Sequence, residues 1–298
     1  MELRRISLSR EEDAWRKVDI ARSMAVYDPN EDKRKEKLSA DIVSRLPLTI
    51  QSEEIQVWYQ PQVDFGAGKI IGAEALCRWN HGKLDWLSPA QFIPALEEAG
   101  LIYDLDCFVW EKVCQDLHRW NEQGVHRSVS VNLSQRDIEE SRDIPEHFRT
   151  LAETHGLAPG QLRIEVTETA FAENPDLLIE TTQRLRELGF TVEMDDFGSG
   201  CSSLHMLKEV SVDRIKLDLH FLTSSGDFEK SCIIVSDIIG LVGRLGMEMI
   251  AEGVETKEQA DFLREHGCSE MQGYYFFKPM PVSDFEVVME KGRFRDGM

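Results

Sequence analysis

Along this chain, short apolar runs suited to buried strands recur, and each closes on or beside a polar residue. The series is Glu74 in IIGAEAL, Asn132 in SVSVNL, Glu165 in LRIEVTE, Asp195 in TVEMDD, Lys216 in DRIKLD, Glu252 in EMIAEGVE and Gln272 in MQGYYF. Between these runs lie stretches of helical periodicity near 88–99, 105–124, 135–156, 172–188, 200–209, 226–245 and 256–267. Strand and helix therefore alternate, as in a parallel sheet wrapped by helices. With a further run at 55–63 the strands number eight. Eight such units over about 240 residues predict an α/β fold, a modified TIM-like (β/α)8 barrel whose strand C-termini converge on one face and carry the chemistry.

One departure from a regular barrel follows from spacing. The runs at 55–63 and 69–77 are joined only by VDFGAG, too short for a helical crossover. They form an antiparallel hairpin on this reading, so one barrel strand runs against the other seven.

The acidic pair Asp195-Asp196, followed by Phe197-Gly198, is the most informative site in the pattern. Adjacent strand residues point to opposite faces, so both acids can serve one site only where the strand ends and the backbone turns. Gly198 and Gly200 can supply that turn. Taken alone, the pair also suits a solvated turn that opens a helix. The repetition of polar residues at strand ends is what favours a functional site.

Residues 1–50 differ in kind. DPNEDKRKEKLSADIVSRL is rich in charge, with Leu38, Ile42, Val43 and Leu46 at the spacing of an amphipathic helix and opposite charges at Glu31/Arg34 and Asp32/Lys35. The segment is expected to be an N-terminal linker or helical extension entering a domain that spans 51–298.

The chain has 298 residues, 42% hydrophobic and 30% charged, as a soluble globular protein does. No 18-residue apolar stretch occurs, and MELRRISLSREED lacks the apolar core of a signal peptide, so no membrane segment and a cytoplasmic location are expected. The formal charge of −20 argues against a nucleic-acid polymer as partner, because binding one needs a basic track. A small anionic ligand is compatible with it if the acids themselves gather cations. The six cysteines, at 77, 107, 114, 201, 232 and 268, include no CxxC pair and read as reduced and structural.

Taken in order, EALCRW, SVNLS, EVTET, MDDFGSG, DRIKLD, AEGVE and QGYYF closely resemble the motifs of the EAL-domain cyclic-di-GMP phosphodiesterases of bacteria. The resemblance runs from about Ile55 to Pro281, and Tyr59-Gln60-Pro61, SPAQFIPALEEAGLI and KPMP agree with it. Residues 12–36 are similar to the tail of a GGDEF domain, so an upstream GGDEF or sensory domain is implied. The resemblance also implies hydrolysis of cyclic di-GMP to linear pGpG in bacterial second-messenger signalling, and a homodimer formed through the loop after Asp196. Glu74, Asn132, Glu165 and Asp195 would be metal ligands, with Asp196 helping to hold a second ion. Such an all-oxygen set suits Mg2+ or Mn2+, two ions in all, and not a thiolate zinc site.

On the same resemblance, Lys216 would position the attacking water and offset charge in the transition state. Glu252 would act as general base or water-orienting acid, supported by Glu255. Gln60, Leu76, Arg78, Asp218 and Gln272 would contact substrate, and Glu168 would anchor the loop from Phe197 to Ser203. Taken alone, Lys216 also suits a lysine snorkelling at a barrel rim, and Arg78 an ion pair with a rim acid.

Three departures from the family pattern stand out. Cys201 replaces a common aromatic residue, HGKLDWLSPAQF carries a tryptophan in a turn that usually bears glycine, and His220 stands where a small polar residue is frequent. Two other functions remain open on the residues: a catalytically silent cyclic-di-GMP receptor, and a barrel phosphodiesterase for another small phosphodiester.

Overall fold

The computed structural model describes residues 29–52, 54–82, 85–139, 142–198, 207–219 and 228–294. Cys201, His220, the segment 12–28 and most of the loop after Asp196 lie outside these residues, as does most of the helix expected at 200–209.

The strands are β1 (Ile55–Asp64), β2 (Lys69–Asn80), β3 (Trp86–Leu87), β4 (Ser128–Asn132), β5 (Leu162–Thr167), β6 (Thr191–Phe197), β7 (Arg214–Asp218), β8 (Glu248–Glu252), β9 (Glu270–Met271) and β10 (Met280–Pro281). Eight of them close a barrel in the order β1-β2-β4-β5-β6-β7-β8-β9, and β9 returns to β1. β1 is antiparallel to both of its barrel neighbours, while the other contacts around the ring are parallel. The hairpin expected from the short VDFGAG connection is thus present. β3 and β10 are two-residue additions at the edges of β2 and β1.

The helices are α1 (Pro29–Gln51), α2 (Pro89–Glu98), α3 (Ile102–Glu122), α4 (Gln135–Glu139), α5 (Ile144–His155), α6 (Glu168–Glu173), α7 (Pro175–Glu187), α8 (Phe228–Arg244), α9 (Lys257–Glu265) and α10 (Val282–Lys291). Two expected helices differ at a break: the stretch at 135–156 is split in two, and the one at 172–188 starts only at Pro175. The first breaks before Asp143, whose side chain accepts the Glu146 N–H while Pro145 sits in the first turn. The second breaks at Asn174-Pro175, where proline opens α7. In both, proline lacks the N–H that a helix interior needs but fits the first turn, so the chain restarts there.

The apolar core fills the shell between barrel and helices. α3 buries Leu105, Val109, Trp110, Val113, Leu117 and Trp120 as one stripe. Tyr59, pointing outward from β1, stacks on Phe285 of α10 at 5.2 Å and meets Trp120 edge-on at 5.4 Å. α1 belongs to this shell too: Ile42 and Leu46 are fully buried. Its polar side grips the end of β2, with Asp41 Oδ2 2.7 Å from His81 Nε2 and Arg45 Nη1 donating to the His81 carbonyl at 3.2 Å. Among the described residues no helix is long and apolar enough to cross a membrane, and the five described cysteines are free thiols.

Candidate active site

Side chains alternate along a strand, so those facing the barrel axis fall two residues apart and form layers. The lower layer is unusually polar. Glu193 on β6 is fully buried and accepts from Ser130 Oγ at 2.6 Å and from Arg214 Nη1 at 2.9 Å, with Arg163 Nη1 3.5 Å away. Arg214, also fully buried, reaches Glu270 as well, and both arginines approach Gln62 Oε1 at 3.4 Å. Burial opposes ionisation of Glu193, but Arg214, Arg163 and the Ser130 hydroxyl outweigh it and hold its carboxyl below the usual range.

Two residues further along the same strands stands the upper layer, at the C-terminal ends. Arg163 is followed by Glu165, Glu193 by Asp195, and Arg214 by Lys216. Lys216 Nζ, fully buried, lies 2.8 Å from Glu165 Oε1, 2.9 Å from Glu252 Oε1, 3.1 Å from Asp195 Oδ1 and 3.7 Å from Glu74 Oε2. Four carboxylates from β2, β5, β6 and β8 thus meet around one ammonium from β7. Burial opposes the lysine charge, yet the surrounding acids outweigh it and hold Lys216 well above the usual lysine range. Burial, countered in part by Lys216 but reinforced by neighbouring acids, lifts Glu165 and Glu252 well above the carboxylate range.

Asp195 and Asp196 are brought to the site by a bulge, and not by the end of the strand. β6 continues to Phe197, but Met194 pairs with Ile215 and Phe197 with Leu217, so β6 carries one residue more than β7 across that interval. Asp196 takes up the difference in a left-handed conformation, φ 56°, that few side chains adopt. Burial and the nearby Asp195 and Asp218 raise its carboxyl pKa.

The donors present are oxygen atoms, the set that hard divalent cations prefer. Both buried oxygens of Glu165 lack a hydrogen-bond partner, even though Lys216 stands close to one of them. Among the described residues no three acidic, histidine or cysteine side chains are already set around one metal-sized point; the centre among the acids is held by the Lys216 ammonium. Excess carboxylate with unmet acceptor capacity is donor chemistry that fits a cation, and Glu74, Glu165 and Asp195 are carboxylates that could face one. Asn132 ends β4 in register with Glu165, at the exposed rim. Its carbonyl accepts the Trp110 indole N–H at 2.9 Å.

The EAL domain profile matches residues 43–279, which include every strand and acid of this cluster. The chain belongs to the EAL domain family. It is 36% identical over 241 residues to the probable cyclic di-GMP phosphodiesterase PdeB of Escherichia coli, covering 81% of this chain and 46% of that protein. Against the cyclic di-GMP phosphodiesterase RocR of Pseudomonas aeruginosa it is 36% identical over 251 residues, covering 83% and 62%. Among solved structures, the PaMucR phosphodiesterase in its c-di-GMP complex superposes with a TM-score of 0.77 at 31% identity, over 82% of this chain and 99% of that one. The chain spans less than two thirds of the length of the curated relatives PdeB and RocR.

The remaining sequence-predicted residues of this EAL domain divide into those that join the cluster and those that do not. Gln272, nearly fully buried, donates from Nε2 to Glu74 Oε2 at 2.5 Å and to Gln60 Oε1 at 3.2 Å, and Gln60 Nε2 donates to the Phe277 carbonyl at 3.1 Å. Leu76 and Arg78 continue the inward face of β2 above Glu74, and Arg78 Nη1 donates to the Cys77 carbonyl at 2.8 Å. Asp218 ends β7 in register with Glu252. Glu168 is buried and accepts the Gly198 N–H at 3.3 Å. Glu255 is exposed, and its backbone N–H donates to Gln259 Oε1 at 2.7 Å; the structure does not bring its side chain into the cluster.

Sequence reasoning missed the lower layer. Its signal lay in the period-two pairs Arg163/Glu165, Glu193/Asp195 and Arg214/Lys216, charged positions inside strands whose intervening residues are apolar. Gly273 was also passed over. A Cβ there would lie 2.1 Å from the Val254 carbonyl oxygen, because the Gln272–Tyr275 segment and Val254 exchange backbone hydrogen bonds across a gap with no room for a side chain.

Proposed function

We propose that this domain hydrolyses one phosphodiester bond of cyclic di-GMP to give linear pGpG. The observation that carries the proposal is the meeting of Glu74, Glu165, Asp195 and Glu252 around Lys216 from five barrel strands; the relatives' names support the choice of substrate. Glu74, Asn132, Glu165 and Asp195 would hold Mg2+ or Mn2+, with Asp196 assisting at a second ion. When bound, such ions polarise the phosphate oxygens and acidify a water.

The chain's own residues do the rest. Glu252 accepts the proton of the attacking water as the new P–O bond forms. Lys216 faces the charge that gathers on phosphorus oxygens as the opposite P–O3′ bond breaks; the released 3′ oxygen takes a proton from solvent water to become a hydroxyl, and Glu252 returns the proton it accepted to solvent. Lys216 is buried, Glu252 is half-buried, and both are held by their neighbours, so little reorganisation is needed when charge develops. The Gln272–Gln60 chain fixes Glu74 in one orientation, and Arg78 supplies a planar cation for the ligand. Glu168 ties down the start of the loop that follows Asp196, and Asp218 stands beside Glu252 at the rim. Glu255 orients the segment after Glu252 from outside the cluster.

The rest of the assignment is proposed on the same basis. Residues 1–50 serve as the linker from an upstream GGDEF or sensory domain into the catalytic barrel at 51–298. The protein is cytoplasmic and acts as a homodimer.

The test is product formation from cyclic di-GMP with magnesium, manganese, calcium or chelator, run beside Glu74→Ala and with binding measured in parallel. Metal-dependent pGpG release that disappears in the variant supports the proposal. Binding without turnover under every metal assigns the protein to the silent-receptor class, and neither binding nor turnover directs attention to another small phosphodiester.

A further inference from the structure

A pair of tryptophans at the mouth of the barrel has no part in the acid cluster below it. Trp58 sits on β1 opposite Leu76, two residues beyond the Gln60/Glu74 pair toward the open end. It shares the inward face of Gln60, whereas its neighbour Tyr59 points outward into the core. Trp86 on β3 is paired with Asn80 of β2 and shares the face of Arg78, while Trp79 packs outward on Phe92 at 5.6 Å. The two indoles meet edge to face with centroids 5.3 Å apart, and the Arg78 guanidinium lies 5.8 Å from the Trp58 ring.

This arrangement leaves Trp86 44% exposed, against complete burial for Trp79, Trp110 and Trp120. A large ring left wet beside a cation, on the face leading down to the acids, has surface to offer a flat ligand. Two residues at about 3.4 Å per residue put Trp58 about 7 Å above the Glu74 layer. A phosphate held at the acids would therefore carry its nucleoside up along this wall. The polar contact of Trp58, Nε1 to Gln56 Oε1 at 3.3 Å, lies along its own strand.

We propose that Trp58, Trp86 and Arg78 form a base-stacking subsite that receives one purine of the dinucleotide whose phosphodiester is cut below. The inference rests on the phosphodiesterase reading and deepens it. Trp86 supplies the accessible face, Trp58 holds that ring upright from the next strand, and Arg78 makes the wall electron-poor. Carboxylates and metals recognise only phosphate, so this wall gives the site its preference for a phosphodiester that carries purines.

The competing explanation is a rim clasp that merely holds the two-residue β3 against β2. The experiment measures, for the unmodified protein, Trp86→Ala and Trp86→Phe, the affinity for cyclic di-GMP in calcium, the kcat and KM in magnesium, the melting temperature, and the tryptophan fluorescence on ligand addition. Stacking predicts an affinity about ten- to a hundredfold weaker and a correspondingly higher KM in Trp86→Ala, with kcat within about threefold. Trp86→Phe restores binding but loses most of the ligand-linked fluorescence change. Unchanged affinity in Trp86→Ala, or a loss that follows the melting temperature and kcat alone, overturns the subsite and leaves the phosphodiesterase reading intact. Failure of the unmodified protein to bind cyclic di-GMP under any condition overturns both.

Discussion

Replacing Glu193 by alanine removes the anion around which the lower barrel layer is organised. Its carboxylate is fully buried, accepts hydrogen bonds from Ser130 and Arg214 at 2.6 and 2.9 Å, and lies 3.5 Å from Arg163. In Glu193→Ala, Arg214 keeps Glu270, whose side chain is 33% exposed, and a long contact to Gln62, while Arg163 keeps the long contact to Gln62. An arginine left buried without its partner costs about 3–5 kcal/mol. That is a large share of the roughly 5–15 kcal/mol that holds a domain folded. At about 2–4 °C per kcal/mol for a chain approaching this size, the melting temperature falls by roughly 10 °C. Thermal and urea unfolding followed by circular dichroism read the change. Glu193→Gln keeps an acceptor for Ser130 and Arg214 and should fall between the two. The double variant Glu193→Leu/Arg214→Met removes the unmatched charge along with its partner and should be more stable than Glu193→Ala. A Glu193→Ala protein within about 1 kcal/mol of the parent, or a double variant no more stable than the single one, refutes the reasoning, since either would mean that the layer is solvated or its charges are not coupled.

Three further outcomes are expected. Lys216→Ala lowers kcat by about a hundred- to a thousandfold, and the carboxylates it leaves facing one another lower the melting temperature in chelator, with magnesium restoring more of it than in the parent; equal responses to magnesium in both proteins would contradict this. Gly273→Ala forces the Val254 backbone away from Gln272 and, by displacing the neighbouring Glu252 and Gln272, lowers turnover by about a hundredfold, whereas near-parental kinetics would show that the segment yields freely. Burial pushes the thiols of Cys77, Cys114 and Cys268 each up to about 12; they stay protonated at pH 8 and should resist iodoacetamide until the protein is unfolded, as peptide mapping after a short pulse can check. The same sign means that their contribution to stability is complete below the ordinary thiol value of 9.0 and is lost as the pH rises toward about 12.

The barrel was legible because its cause is local. Apolar runs ending in polar residues, separated by helical periodicity, leave little choice but parallel strands with helical crossovers, and the VDFGAG connection leaves no room for a helix between β1 and β2. The acids were legible for the same reason, since a strand's C-terminal end can be read from where its apolar run stops. The break near Pro145 was readable as well, but the apolar periodicity across it was stronger, and the stretch 135–156 reads as one helix where the structure has two.

The order and type of the elements and the identity of the residues at the strand ends are written locally in the chain, because both depend on neighbours a few positions away. Only closure of the barrel decided how those residues meet. It placed the Lys216 ammonium at the centre of four acids that are 30 to 178 positions apart along the chain, stacked a buried Glu193–Arg214 layer beneath them, and set Asp196 beside Asp195 in a bulge with a left-handed residue. Burial, charge compensation and the approach of Val254 to Gly273 are properties of strands packed against one another. They depend on distances that exist only after the ring is shut, and no local pattern encodes them.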